Sequence, residues 1–459
     1  MGIVIVIALI IGGALYFSRK PSELEKFRAE LRSKGYKLSP QELLGNQKPP
    51  WGDSDAYMRV QKHMQEIFTA YEQLDKLNSN RWQFGKLPLM RRGPIDTPFP
   101  LTKRDNPWWG GVHTNSANKT WEHMAEVMKQ AGSTLQTIRA LARKEIPEHG
   151  LRTSTPAFMF QILALWLNAD ALNALRQGSR ITALEDLQCL TDLALIGSQE
   201  KHLQTQFERI KVIGFALRGS WEILQSAEWT DQELNRIEAA WKRISPLQAS
   251  EACMVWQLAQ AGDVEATVRR HLARASLRDR VTAMVGRIDR DDDALFLLQH
   301  ASTYLEAVRA LQQGEDWTSL KPGLEKIQSS AMSKWNSRYR HLGVRMMAIG
   351  FETVFADAIR AEAGRQLLLA DVAVRKFRLR HNGTPPKTLR ELSPDFLNVA
   401  SGHDPFSGGD LKYRLIPDGS YLLYSVGIDG VDNGGDLSVD KGQGLFFWGS
   451  RDMAWPSCQ

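Results

Sequence analysis

The stretch that most constrains this chain lies near its C-terminal end, from Gly364 to Asp440. A long helical run, RQLLLADVAVRKFRLRHNG, ends against Pro385 and Pro386, which lack the N–H that would continue a helix. Asn382-Gly383 supplies a C-cap, because both residues accept left-handed backbone, and Thr384-Pro385 opens a short helix holding Leu389 and Leu392. Further on, Leu411, Tyr413 and Leu415 alternate with Lys412, Arg414 and Ile416. After the turn residues Pro417-Asp418-Gly419-Ser420, Tyr421, Leu423 and Ser425 alternate with Leu422, Tyr424 and Val426. That period of two predicts a β-hairpin with one buried face, packed on the long helix. Leu445 to Trp448 has the length of a third strand beside it.

Ahead of this region the pattern is helical. From Thr120 to Leu342 apolar residues recur at i, i+3 and i+4, with short breaks that imply antiparallel neighbours. Ser22-Glu23-Leu24-Glu25 and Thr230-Asp231-Gln232-Glu233 are capping boxes, and Ser39-Pro40-Gln41-Glu42 repeats the box with Pro at the first helical position. No fixed repeat matches a tetratricopeptide or ankyrin signature. With 459 residues, 43% apolar and 24% charged, the chain can bury a sizeable core. The fold expected is mainly α: an irregular helical bundle or α-hairpin array, with an N-terminal membrane anchor and a small C-terminal α+β module. The divisions follow composition: an anchor over 1–20, helices over 21–77, an irregular segment over 78–119, a helical body over 120–343, and a long helix with the β module over 344–459.

Gly2 to Phe17 is an unbroken apolar run of sixteen residues, close to the roughly 20 that span a bilayer core. It lacks an A-x-A-like cleavage site and a preceding basic region, so a retained signal-anchor is expected. This makes the chain a single-pass protein of the cytoplasmic membrane. Arg19 and Lys20 after the run argue for a cytoplasmic body, whereas the C-terminal resemblance given below argues for a periplasmic one, which is the expectation adopted.

Residues 78–119 break the periodicity with Pro88, Pro94, Pro98, Pro100 and Pro107. Arg91, Arg92, Trp108 and Trp109 make this segment the candidate binding surface, since stacking and cation–π contact suit sugars, peptides or anionic polymers. The competing reading is a strap whose aromatics pack onto the helices below. A net charge of +6 is scattered along the helices rather than clustered, which argues against nucleic acid as a partner. Cys189, Cys253 and Cys458 have no CxxC spacing, and the first two read as small buried hydrophobes. HExxH, P-loop, GxSxG and zinc-ligand patterns are absent, so no catalytic residue is assigned. The cluster Asp289, Asp291, Asp292 and Asp293 reads as a helix N-terminus, where carboxylates meet free N–H groups.

Asp429, Asp432, Asp436 and Asp440 lie among Gly427, Gly430, Gly434 and Gly435. Hard oxygen ligands on a tightly turning loop suit Ca2+, although Val431 breaks the EF-hand spacing and Asp and Gly are also the commonest turn residues.

Residues from about Arg365 to Asp440 resemble the C-terminal part of the major pseudopilin of type II secretion. Phe377, Pro385, Leu389 and Leu392 carry the likeness, with Asp404-Pro405-Phe406, Gly408 and the closing Tyr424-Ser425-Val426-Gly427-Ile428-Asp429-Gly430. That resemblance implies Asp429, Asp432 and Asp436 as calcium ligands. The chain departs from the family in lacking a prepilin-peptidase motif and in placing some 340 residues between the apolar run and the module, so a polymerising pilin is not expected. As a whole the chain is similar to membrane-anchored helical proteins of planctomycete and verrucomicrobial type. Ala29 to Leu44, Leu187 to Ala216, DPFSGGDLKYR and YLLYSVGIDGVDNGG carry that likeness. The resemblance implies a fold and no reaction. The function expected is a non-catalytic, envelope-associated scaffold or interaction protein linked to a secretion or pilus-like system, with envelope proteins as partners. The alternative is a binder or enzyme acting on a polymer through residues 78–119.

Overall fold

The computed structural model describes residues 22–45, 54–78, 121–144, 158–198, 201–226, 228–263, 290–333, 342–397, 402–417, 419–436 and 451–455. These residues are mainly helical, with one small three-stranded antiparallel sheet. Two compact units divide them. The first comprises Met1–Gln47, Val255–Thr303 and Ile327–Ala348, the second Lys48–Met254, Tyr304–Lys326 and Ile349–Gln459.

In the first unit, α1 (Glu23–Ser33) begins at the predicted capping box. Glu25 N donates to Ser22 Oγ at 3.2 Å, and Ser22 N donates back to Glu25 Oε2 at 2.8 Å. Helix α2 (Pro40–Leu44) is capped by Ser39, whose Oγ accepts from Glu42 N. Arg28 Nη2 donates to Gly262 O at 2.8 Å, which ties α1 to a segment far along the chain.

The second unit is built on α3 (Ser54–Asn78), α4 (Trp121–Ala142), α5 (Phe158–Arg176), α6 (Arg180–Leu195), α7 (Leu203–Ser226) and α8 (Asp231–Lys242). Helices α5, α6 and α7 pack on one another most extensively. Helix α6 is buried over ten of its positions, from Ala183 to Ala194, so no amphipathic stripe survives and the helix runs through the core. Helices α5 and α7 approach closely at Gly219, where a Cβ would stand 1.7 Å from Asn168 Oδ1. Trp166, Trp229 and Trp241 are buried among these helices. Cys189 and Cys253 are free thiols and fully buried, and burial pushes the Cys253 thiol up to about 12, which leaves it inert as a nucleophile.

Four helices follow in sequence: α9 (Pro246–Gly262), α10 (Arg290–Gln312), α11 (Trp317–Ser333) and α12 (Leu342–Arg380). With 39 residues, α12 is roughly 58 Å long at 1.5 Å per residue. It ends where its sequence predicts. Asn382 and Gly383 both take positive φ, and Gly383 N donates to Arg378 O at 2.8 Å, as in a Schellman cap. Leu389–Leu392 forms a short 3-10 turn.

The sheet has the order β1 (Lys412–Leu415), β2 (Tyr421–Ser425), β3 (Met453–Trp455). Lys412 pairs with Tyr424 and Leu415 with Tyr421, which makes the predicted hairpin. The expected single buried face does not hold: Leu415 of β1 is exposed, and all five residues of β2 are buried, with Tyr421 bonded to α12 on one face and Leu422 and Tyr424 clustered with Ala454 on the other. The third strand is Met453–Trp455, with Leu423 opposite Trp455; Leu445 to Trp448 lies outside the described residues.

The expectation of a single-pass, signal-anchored protein of the cytoplasmic membrane is corrected. Among the described residues no helix is long and apolar enough to cross a membrane. Every long helix carries charged side chains within the window that a bilayer core would enclose. The run 2–17 on which that expectation rested lies outside the described residues.

Candidate functional site

The aspartate-rich end of the C-terminal module is the candidate site, and a buried carboxylate holds it in place. Asp404 is fully buried. Its Oδ1 accepts from Phe406 N at 3.0 Å and Ser425 Oγ at 2.7 Å; its Oδ2 accepts from Val426 N at 3.0 Å and Ser407 Oγ at 3.2 Å. One side chain therefore shapes the Asp-Pro-Phe turn and joins it to the end of β2. Phe406 packs edge-on against Trp317, whose indole N–H donates to Ile428 O at 2.7 Å. The chain then leaves β2 through Gly427, at φ +71, where a Cβ would meet Arg451 O at 2.0 Å. No other residue fits there.

The three expected ligands follow, Asp429 in a turn and Asp432 and Asp436 beyond it. Asp429 Oδ1 accepts from Val431 N at 2.9 Å and its Oδ2 from Asn433 Nδ2 at 3.3 Å. Asp432 Oδ1 accepts from Gly434 N at 3.1 Å and from the Tyr424 hydroxyl at 2.9 Å, with Lys412 Nζ 3.8 Å from Oδ2. Asp436 bonds through its backbone: its N–H donates to Asp452 Oδ2 and its carbonyl accepts from Asp452 N.

The residue that closes the loop is Asp452, which sequence reasoning missed. Its side chain is buried and accepts from Asn433 N at 3.3 Å, Gly435 N at 2.6 Å and Asp436 N at 3.1 Å. Burial pushes its carboxyl up, against three amides that favour the charge. Nothing local marks it, because its partners lie 16 to 19 residues away in sequence. Burial, then the bond to Asp432, raises the Tyr424 hydroxyl to about 12.

The module stands on α12 through polar contacts. The Tyr421 hydroxyl donates to Asp371, and Gly402 N donates to Gln366 Oε1 at 3.0 Å. Tyr413 Oη donates to Pro386 O at 2.8 Å. Helix α12 is itself held to α8 by Lys376, which bonds Asn235 and Glu238.

Among the described residues no group of three His, Cys, Asp or Glu side chains is placed to hold a metal ion. Asp440, Arg91, Arg92, Trp108 and Trp109 lie outside the described residues. What the loop does chemically, as described, is cap its own backbone: carboxylates accept from amides two residues on, and the two halves meet on Asp452. No family model, curated protein or solved structure matches the chain.

Proposed function

We infer that this chain is a non-catalytic scaffold or interaction protein, and that its C-terminal end is a pseudopilin-like head serving a secretion or pilus-like assembly. The observation that carries the reading is the use made of the buried acids. Asp371, Asp404 and Asp452, the buried acids of the module and of the helix it stands on, each accept bonds that brace the module. The pseudopilin-like part rests on the Asp404-Pro405-Phe406 turn and the Ser425 to Gly430 exit, which the same carboxylate joins. A braced head with apolar residues facing outward suits docking. Leu415, Ile416 and Val431 are exposed on it, Val431 at 55%.

The test is affinity capture with the full chain from an extract of cells that make it, wild type beside Val431→Arg and Leu415→Arg. The reading expects a protein retained by wild type and released by one of these variants while their melting points stay within a degree or so of wild type. Turnover of a substrate by the purified chain, or capture indifferent to both variants, would sink it.

A further inference from the structure

Three side chains from three helices meet inside the second unit, away from the module. Arg139 of α4 donates through Nε to Asp186 Oδ1 on α6 at 2.7 Å and through Nη2 to Asp170 Oδ2 on α5, with Nη2 also 2.6 Å from Asp186 Oδ1 as an ion pair. Asp186 is fully buried, and the side chains of Arg139 and Asp170 are 10% and 14% exposed. Two carboxylates thus share one guanidinium in a place that water hardly reaches. Were both ionised, the cluster would hold an uncompensated negative charge in low dielectric.

One atom shows how this is avoided. Asp186 Oδ2 is buried and receives no donor, while Asp170 sits beside Asp186 on the same guanidinium nitrogen. Two buried carboxylates on one guanidinium, one of them with an oxygen that receives no donor, are relieved of their excess charge by a proton held between them.

We propose that Arg139, Asp170 and Asp186 form a proton-binding site, in which one proton resides on Asp186 Oδ2 and is donated to Asp170. The bound proton makes the cluster neutral: one guanidinium, one carboxylate and one carboxylic acid. The pair titrates as a unit. Burial comes first in raising both carboxyls, and for Asp186 the adjacent Asp170 adds to it. For Arg139, burial opposes the charge, and Asp186 and Asp170 more than offset it.

The other charges around the cluster are engaged elsewhere. On α6, Glu185 adds to the rise at Asp186, and Asp192 is paired with Arg243 at 2.6 Å. Arg143, beyond the end of α4, bears on Cys189 and Asp192. From α3, Glu66 meets Lys144, and His63 is held below its ordinary value by burial and then by Lys144. From α7, Arg209 donates to Ala194 O and Arg218 pairs with Glu222. On α8, Glu233 meets Arg180.

The sign of the linkage follows. The folded state keeps a proton that the unfolded chain loses near the ordinary carboxylate range, about 3.9. Its contribution to stability is therefore complete at acid pH. It is lost as pH rises toward the folded value, by up to roughly tenfold in the folding equilibrium constant per pH unit for one proton.

The test uses the full chain and the variant Asp186→Asn. The amide places N–H where the acid has O–H and keeps an oxygen for Arg139, so it reproduces the protonated state at every pH. The expected results are a variant that folds, with a pH–stability curve flatter than wild type by one proton above the carboxylate range. The wild-type infrared spectrum in D2O at neutral pH should hold a protonated-carboxyl band that the variant lacks. A variant that does not fold would overturn the proposal, because a neutral isostere should fit; so would an unchanged pH slope or an unchanged carboxyl band. Asp170→Asn provides the second arm. It also removes the extra charge, and a slope retained in that variant would equally sink the shared proton.

Discussion

The hydroxyl of Tyr421, in the central strand of the sheet, donates to the carboxylate of Asp371 in the C-terminal part of α12, and both residues are buried. Arg375, one turn along the same helix, holds the other oxygen at 2.8 Å. This contact seats the sheet on the long helix. Tyr421→Phe keeps the ring and removes the donor, leaving a buried carboxylate with one partner fewer. A loss of about 1–3 kcal/mol is expected in urea unfolding of the full chain with unchanged m. Tyr424→Phe, which breaks the more open bond to Asp432, should cost less.

Asp404 should be the most sensitive acid of the module. Asp404→Ala strands Phe406 N, Val426 N and two serine hydroxyls in a buried place. On the order of 3 kcal/mol or more is expected, with amide exchange speeding up at Phe406 and Val426. Asp404→Asn keeps one acceptor oxygen and sets an NH2 against the other donors, so its cost should fall between alanine and wild type.

Alkaline unfolding should be steep. Burial raises Tyr413 and Tyr424 to about 12 and also raises Tyr421 and Tyr304, with Asp371 adding to the effect at Tyr421. In the unfolded chain these hydroxyls ionise near 10. The folded state therefore holds protons that the unfolded state releases, and stability falls as pH rises from about 10 through the folded values. Tyrosinate absorbance from these residues should appear together with loss of helix, not before it.

Local signals were read well from sequence, and distant pairings were not. The boxes at Ser22 and Thr230 and the helix end at Asn382-Gly383 depend on neighbours within a few residues, and the structure holds all three. The hairpin followed from alternation and a turn, and the structure pairs Lys412 with Tyr424. Burial of β2 on both faces did not, because its second cover includes β3, far along the chain. Asp371 sits inside an apolar run and Asp186 inside another, where period alone reads core and gives no hint of Tyr421 or Arg139. The acidic loop was found from composition, but Asp452, on which its two halves close, was not. The apolar run at 2–17 led to an anchor expectation that hydropathy alone could not secure.

Calcium should leave the melting midpoint of the full chain unmoved. Asp429 and Asp432 each accept an amide of their own turn, and Asp452 gathers three more. Asp429, Asp432 and Asp452 therefore have donors of their own. Melting in millimolar calcium against chelator checks this. A rise with calcium that Asp429→Asn with Asp432→Asn removes would show a bound ion, worth RT ln(1 + [L]/Kd), about 2.7 kcal/mol at a hundredfold excess.

Gly219→Ala sets two effects of opposite sign against each other. Alanine is favoured over glycine inside a helix by about 1 kcal/mol. At this position, however, the added Cβ would stand 1.7 Å from Asn168 Oδ1 and 2.7 Å from its Cγ. Asn168 is buried, and its amide is fixed by the bond from Nδ2 to Phe215 O at 3.0 Å. To make room the side chain must swing, break that bond and push into a packed interface, or α5 and α7 must part. Overpacking of this kind costs about 1–3 kcal/mol. The clash should outweigh propensity, for a net loss of roughly 1–2 kcal/mol in chemical denaturation. The double variant Asn168→Ala, Gly219→Ala separates the terms. It removes the obstructing amide and keeps the helix-favouring residue, so it should be more stable than the sum of the two single changes predicts, with a coupling of about 1 kcal/mol. Strict additivity would mean that α5 and α7 do not meet at this glycine.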